Sequence, residues 1–191
     1  MSTVRPGHRA VLVVVDVQVG VMAEAWDAQR VIANVAHAVE RARAAGVPVI
    51  WVQHEAADLP RDSAAWQWVD ALQPAEGEVR IHKRFESSFE ETALEAHLAR
   101  LGATRIVLAG ASTNWCIRAT AYAALDRGYD LTLVADAHTT SSLDLGQGSR
   151  IEAAGIVAEL NVVMSWLNYP GRHCATSTVA ELDWAAPGGQ G

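Results

Sequence analysis

Three residues of this sequence have the types and the spacing to do covalent chemistry together: a carboxylate, Asp16, an ammonium, Lys83, and a thiol, Cys116. Asp16 closes the apolar run AVLVVVD, Lys83 closes the short run EVRIHK, and Cys116 follows RIVLAGASTNW. Each run reads as a strand, so each reactive side chain stands at or just past a strand's carboxyl end. In a parallel sheet those ends share one edge, where open α/β sheets bind their ligands. A carboxylate there can take the thiol proton, an ammonium can stabilise the thiolate and orient the carboxylate, and the sulfur can attack an electrophilic carbon. Cys116 also falls in the first turn of a helix opened by Thr113, whose free N–H groups favour negative charge. The stretch therefore predicts a thiol that ionises, and alkylates, below the pH of a free cysteine. Read singly, each residue has a plainer role: a buried small hydrophobe for Cys116, a turn cap or metal ligand for Asp16, a solvated strand end for Lys83.

The elements that must hold these residues follow from hydrophobic period. AVLVVV and VIWVQ lack polar alternation, as strands buried on both faces do. Between them, Val31, Val35, Val39 and Ala42 recur at helical spacing over Asp27 to Ala45, with Asp27 as cap and Gly46 as stop. Further along come a helix over Phe89 to Leu101 capped by Ser88, the helix after Thr113 and a strand DLTLVAD. A helix from about Ser149 to Leu167 and a short strand near Ala175 to Val179 follow. Alternating strands and amphipathic helices predict a single domain over residues 1–191, a three-layer α/β fold with a mostly parallel sheet. Residues His54 to Glu78, with Pro60, Pro74 and Gly77, read as an excursion over the mouth of the sheet, with a short helix around Trp66 to Leu72. The tail AAPGGQG after Trp184 is expected to fray.

Composition narrows the class. The chain has 191 residues, 50% hydrophobic and 19% charged, enough for one substantial core and unlike a disordered or membrane-spanning chain. A net charge of −7 without a basic cluster argues against a nucleic-acid partner and favours a neutral or cationic small-molecule ligand. The start MSTVRPGHRA lacks the apolar core and cleavage site of a secretory signal, so a cytoplasmic location is expected, with Cys116 and Cys174 as free thiols. Seven tryptophans suit a core or an oligomer interface. Trp51 falls inside a strand and reads as core, whereas Trp26 and Trp115 flank strand ends and read as pocket walls. Gly146-Gln147-Gly148 lacks the strand and third glycine of a phosphate loop and reads as a turn before a helix. Asp136-Ala137-His138, ending a strand, reads as structural or as pocket wall.

VVVDVQ around Asp16, IHKRFESSF around Lys83 and GASTNWC ending at Cys116 resemble the three catalytic motifs of the isochorismatase-like cysteine hydrolases. That family includes nicotinamidases, N-carbamoylsarcosine amidohydrolases, ureidoacrylate hydrolases and lactam-opening enzymes, and the resemblance covers Arg9 to Asn168. It implies a Rossmann-like, six-stranded α/β/α sandwich, an Asp16–Lys83–Cys116 triad and a thioester-type intermediate that water hydrolyses. It also implies a cis peptide at Ala111-Ser112, in a turn that aims the N–H groups of Ser112 and Cys116 at a developing oxyanion. Hydrolysis of a carbon–nitrogen bond other than a peptide bond, and a homodimer or larger assembly, follow from the same resemblance. Where nicotinamidases carry an Asp-x-His metal motif, this chain has Gln53-His54-Glu55, so no metal and no other cofactor is expected. Gln53 and His54 then stand as substrate contacts beside Trp26 and Trp115. Cys116 departs from true isochorismatases, which do not use the thiol. The expected substrate is a small amide, lactam or ureido compound, with opening of a streptothricin-type lactam as one form. The alternative is a redox-sensing α/β protein whose reactive cysteine turns nothing over.

Overall fold

Strands β1 (Ala10–Val15), β2 (Val49–His54), β3 (Val79–Lys83), β4 (Arg105–Ala111), β5 (Asp130–Thr139) and β8 (Cys174–Ser177) pair in parallel as one sheet. Their order across it is β3-β2-β1-β4-β5-β8. A separate antiparallel hairpin joins β6 (Leu143–Gly146) to β7 (Ser149–Ile151). This is a computed structural model, and it describes residues 2–185. The expectation that the C-terminal tail frays falls, past residue 185, outside the described residues.

The β-branched run of β1 is buried at every position, and its alternate residues face opposite layers, as the period of two requires. A one-turn helix α1 (Val19–Met22) follows β1, and Leu12 and Val14 meet the next helix, α2 (Ala28–Ala44), through Val31, Val35, Val39 and Ala42. Val11, Val13 and Val15 join the core under α3 (Leu94–Arg100), α4 (Arg118–Asp126) and α5 (Ala153–Trp166), which contribute Leu94, Leu98, Leu125 and Leu160. The result is a three-layer α/β/α sandwich. Among the described residues no helix is long and apolar enough to cross a membrane.

The strand order decides where a ligand can sit. From β1 the chain steps outward through β2 to β3, then returns to the other side of β1 with β4. Helices consequently leave β1 and β4 toward opposite faces, opening a crevice between the carboxyl ends of those two strands. The register Val15↔Gly110 brings the ends level. Gly110 allows that approach: its φ is +125, and a Cβ there would lie 2.0 Å from the carbonyl oxygen of Val15. Gly110→Ala is expected to cost about 2–3 kcal/mol, because both the backbone conformation and the space are denied to a side chain. Thermal unfolding checks this, and an unchanged midpoint would mean that β1 and β4 are not held so close.

Several elements differ from the sequence-based expectation. The helix expected from Phe89 begins only at Leu94, because Ser88 is tied elsewhere: its N–H donates to Thr120 Oγ1 (3.0 Å), and its carbonyl accepts from Thr92 Oγ1 (2.6 Å). No helix forms over Trp66 to Leu72; the segment is strapped to the chain after β1 by a Gln18–Trp68 bridge and by Val69 N–H to Val17 O (3.3 Å). Asp27 is left-handed at φ 52 and pairs with Arg30 instead of capping α2. Gly146 to Gly148 forms the tip of the hairpin, where Gln147 (φ 52) and Gly148 (φ 78) take the positive angles of a tight β-turn. The last long helix accordingly starts at Ala153, not near Ser149.

Candidate active site

Asp16 is the first residue past β1, and its backbone is left-handed (φ 53), a conformation aspartate tolerates better than most residues. Lys83 ends the edge strand β3 and pairs in register with His54 of β2. Strands lie about 4.8 Å apart, so the end of β1 is roughly 10 Å from Lys83 across the end of β2, a span the lysine stem bridges. Its Nζ lies 2.7 Å from Asp16 Oδ2, 3.1 Å from Cys116 Sγ and 3.1 Å from His54 Nδ1. An ammonium has three N–H donors and no acceptor, so three acceptors match it one for one. His54 must therefore accept at Nδ1 and carry its own proton on Nε2.

Cys116 reaches this point by a specific local path. After Gly110 the chain passes through a cis peptide at Ala111-Ser112 and enters a π-helical turn, Thr113–Ile117, before α4. The carbonyl of Ser112 accepts from the N–H groups of Trp115 and Ile117 (both 3.1 Å). Thr113 Oγ1 lies 2.9 Å from His138 Nδ1, and His138 Nε2 lies 3.0 Å from Asn161 Oδ1. Asn161 donates its amide N–H to Ala135 O (3.0 Å), so its oxygen must be the acceptor and His138 holds its proton on Nε2. Loss of solvent pushes His138 down to about 4, so it is neutral. The His138 ring thus pins the start of the turn from below. Asp136, by contrast, accepts from Val179 N–H (2.9 Å), which is a structural tie.

The electrostatics correct one expectation. Burial alone would lower Lys83, but Asp16 and Cys116 outweigh it and raise the lysine, which stays charged. Cys116 is pushed up to about 12, first by burial and then by Asp16, against the opposing pull of Lys83. A helix start and a nearby lysine had predicted the reverse. The sulfur, however, has lost most of its solvent, and it shares the lysine with a carboxylate that already neutralises it. At neutral pH the resting site is a thiol beside a carboxylate–ammonium pair. Asp16 Oδ1 is buried with no hydrogen-bond partner among the described residues, so it is free to accept a proton. His54 is held down by burial and by Lys83, and is neutral.

Asp16, His54 and Cys116 offer ligand atoms within 4.8 Å of one another, the spacing of a donor set around one small cation, and the cation they meet is the Lys83 ammonium. Lys83 Nζ, in contact with all three residues, supplies a positive charge to that set.

Above this cluster opens a cavity of about 210 Å³ lined by Asp16, His54, Glu86, Ser112, Trp115 and Cys116. Val21, His54 and Ser112 continue into a second hollow of about 310 Å³ that reaches Asp58 and Leu59. The structure thus brings Asp16, Lys83, Cys116, Ser112, His54 and Trp115 together. Gln53 is elsewhere: it is buried, and its Nε2 donates to Trp66 O (3.0 Å). Trp26 is also outside the lining, with its ring 5.8 Å from the Arg30 guanidinium. Gln18, which the sequence did not single out, bonds both backbone groups of His54 (2.8 and 3.0 Å) and Trp66 O (2.9 Å), and so fixes the strap over the cavity. Glu86 and Asp58 were missed because isolated loop carboxylates leave no periodic mark. Both cysteines are free, Cys174 packing with its sulfur 3.8 Å from Met164 Sδ.

A family model described as the Isochorismatase domain matches residues 10–166. A streptothricin hydrolase of Streptomyces noursei is 32% identical over 145 residues, 72% of this chain. The chain spans only 57% of that relative, little more than half its length. A ureidoacrylate amidohydrolase of Methylobacterium radiotolerans is 30% identical over 186 residues, 78% of this chain and 72% of the relative. Among solved structures, an isochorismatase from Pseudomonas putida KT2440 superposes with a TM-score of 0.82 at 28% identity, over 92% of each chain.

Proposed function

The chain belongs to the isochorismatase-domain family, and on that premise we propose that it is a metal-independent cysteine hydrolase. It cleaves a carbon–nitrogen bond, other than a peptide bond, in a small amide, lactam or ureido substrate. The observation that carries this reading is Lys83 Nζ bridging Asp16 (2.7 Å) and Cys116 (3.1 Å) beneath the cavity.

The roles follow from the charges. Asp16 Oδ1 takes the thiol proton as Sγ of Cys116 attacks the carbonyl carbon, because a thiol pushed up to about 12 cannot pre-ionise at neutral pH. Lys83 holds the sulfur charge as it forms. The carbonyl oxygen becomes an oxyanion held by the backbone N–H groups of Ser112 and Cys116. Asp16 then returns the proton to the leaving nitrogen, the C–N bond breaks and an amine or ammonia departs, leaving a thioester. Water attacks that thioester with its proton drawn to Asp16, releasing the carboxylic acid and restoring the thiol. His54, its Nε2–H free of Lys83, donates to an acceptor on the substrate.

The test is a panel of small amides, lactams and ureido acids with Cys116→Ala as control. Intact-protein mass spectrometry during turnover is expected to find an acyl group on the peptide that carries Cys116, and hydroxylamine is expected to release it as a hydroxamate. Turnover that survives in the control, or an adduct on another residue, would sink the assignment. The lactam subclass is favoured by the similarity to a streptothricin hydrolase, and turnover of a lactam as fast as of an open-chain amide would bear it out.

A further inference from the structure

The lining of the cavity over Cys116 carries carboxylates, and the one positive charge that touches it among the described residues is the buried Lys83 ammonium beneath Cys116. Glu86 borders the first hollow with Trp115, and Asp58 borders the second, on either side of His54. Neither acid has an ion-pair partner among the described residues, and no lysine or arginine lines either hollow. Arg84 and Arg61 line a different depression of about 580 Å³, where Arg84 is spent on Glu55 (2.7 Å) and Arg61 lies 5.9 Å from the Trp66 ring. The Lys83 ammonium is fully buried and already paired with Asp16.

Both acids are exposed side chains on tethered backbone. Asp58 sits in a turn closed by reciprocal hydrogen bonds between Ala56 and Leu59 (3.1 and 3.2 Å), with Leu59 buried beneath it. Glu86 lies two residues before Ser88, which the Thr120 hydroxyl anchors to α4 (2.9 and 3.0 Å). Two further groups face the same space. Asp16, buried and paired with Lys83, borders the first hollow, and Trp115 is 53% exposed although it borders the same cavity. An indole face at such a position attracts a cation through its ring quadrupole.

We propose that this site selects a cationic substrate, an amide or lactam bearing an ammonium or guanidinium group that lodges between Glu86, Asp58 and the Trp115 ring while its carbonyl meets Cys116. The inference rests on the hydrolase reading only for the word amide; the charge selection belongs to the cavity itself. Two carboxylates within a Debye length of a bound cation, about 8 Å at physiological salt, are screened little by solvent ions. They raise the local concentration of cations by about tenfold and lower that of anions.

Charged thiol reagents read this out at Cys116 without a known substrate. In a Cys174→Ala background, aminoethyl and sulfonatoethyl methanethiosulfonate each form a disulfide with the Cys116 sulfur and release methanesulfinate. Relative to a small free thiol, the cationic reagent is expected to react about tenfold faster than the anionic one, with the ratio falling as salt rises. Glu86→Gln with Asp58→Asn is expected to bring the ratio to about one. A ratio near one in the parent, or one the double variant leaves unchanged, overturns the proposal. Hydrolysis of β-alaninamide, butanamide and succinamate separates the two readings. Turnover without preference for the cation defeats charge selection alone, whereas cation preference at the thiol without turnover of any amide in the wider panel defeats the hydrolase reading alone.

Discussion

Replacing Asp16 with Asn is expected to cut amide hydrolysis by about 10³–10⁴-fold and, at the same time, to bring the ionisation of Cys116 down toward neutrality. The two effects have opposite signs for nucleophilicity. In the parent, burial and the Asp16 carboxylate both push the thiol up, to about 12, while Lys83 pulls the other way. Asparagine removes the negative charge but keeps the shape, so the thiolate becomes the sole anionic partner of Lys83 Nζ, 3.1 Å away. More thiolate is then present at neutral pH, yet nothing remains to receive the proton and pass it to the leaving nitrogen. Ultraviolet absorbance of the thiolate against pH, with Cys116→Ala as blank, gives the ionisation; turnover of any substrate found in the panel gives the rate. If the variant kept a tenth of its activity, the base would lie elsewhere. If its thiol stayed as high as in the parent, the carboxylate would not be what suppresses the thiolate.

Lys83→Met is expected to be the most damaging single change, because it strikes both fold and chemistry. The lysine and Asp16 side chains are 0% and 2% exposed, so methionine leaves a carboxylate buried without a counter-charge. Breaking a buried pair from one side costs about 3–5 kcal/mol. In a domain of this size that lowers the unfolding midpoint by roughly 10 °C. Turnover falls by about 10³-fold or more, since no positive charge meets the developing thiolate. The double variant Asp16→Asn, Lys83→Met removes both charges and is expected to recover most of the lost stability and none of the activity. Melting curves of the two single variants and the double variant decide it. A double variant as unstable as the lysine variant would mean that Lys83 supports the fold by packing and not by neutralising Asp16.

The contrast between what the sequence disclosed and what it hid has a physical pattern. Strands such as AVLVVV and RIVLAGA were legible because a strand buried on both faces must be apolar without alternation. Asp16 and Lys83 were legible because such runs end abruptly in a charge. The proton on Cys116 was not legible. Its position depends on how far burial and Asp16 outweigh a helix start and a lysine, and that balance exists only once the three groups share one buried point. The failed helices over Phe89 to Ala93 and Trp66 to Leu72 have a common cause as well. Long-range ties from Ser88 to Thr120, and from Gln18 and Val17 to residues 66–69, overrode local propensity. Gln53 and Trp26 were placed at the pocket by neighbourhood in sequence. A residue beside His54 in a strand points to the opposite face, which is why Gln53 reaches Trp66 O instead of the cavity.

In the proposed cycle, the ammonium in contact with Asp16, Cys116 and His54 also governs how turnover ends. Thiol with carboxylate, thiolate with carboxylic acid, and thioester with carboxylate all leave the buried set around Lys83 with one negative and one positive charge. Before product forms, the chemistry only swings a dipole about a fixed cation, a motion that a medium of low polarity tolerates far better than a change of net charge. The first species to upset the balance is the acid released by water, which ionises beside Asp16, Glu86 and Asp58. In the proposed cycle, repulsion between the new carboxylate and Asp16, Glu86 and Asp58 offsets the attraction these exert on a cationic group, so that the product is held less tightly than the substrate.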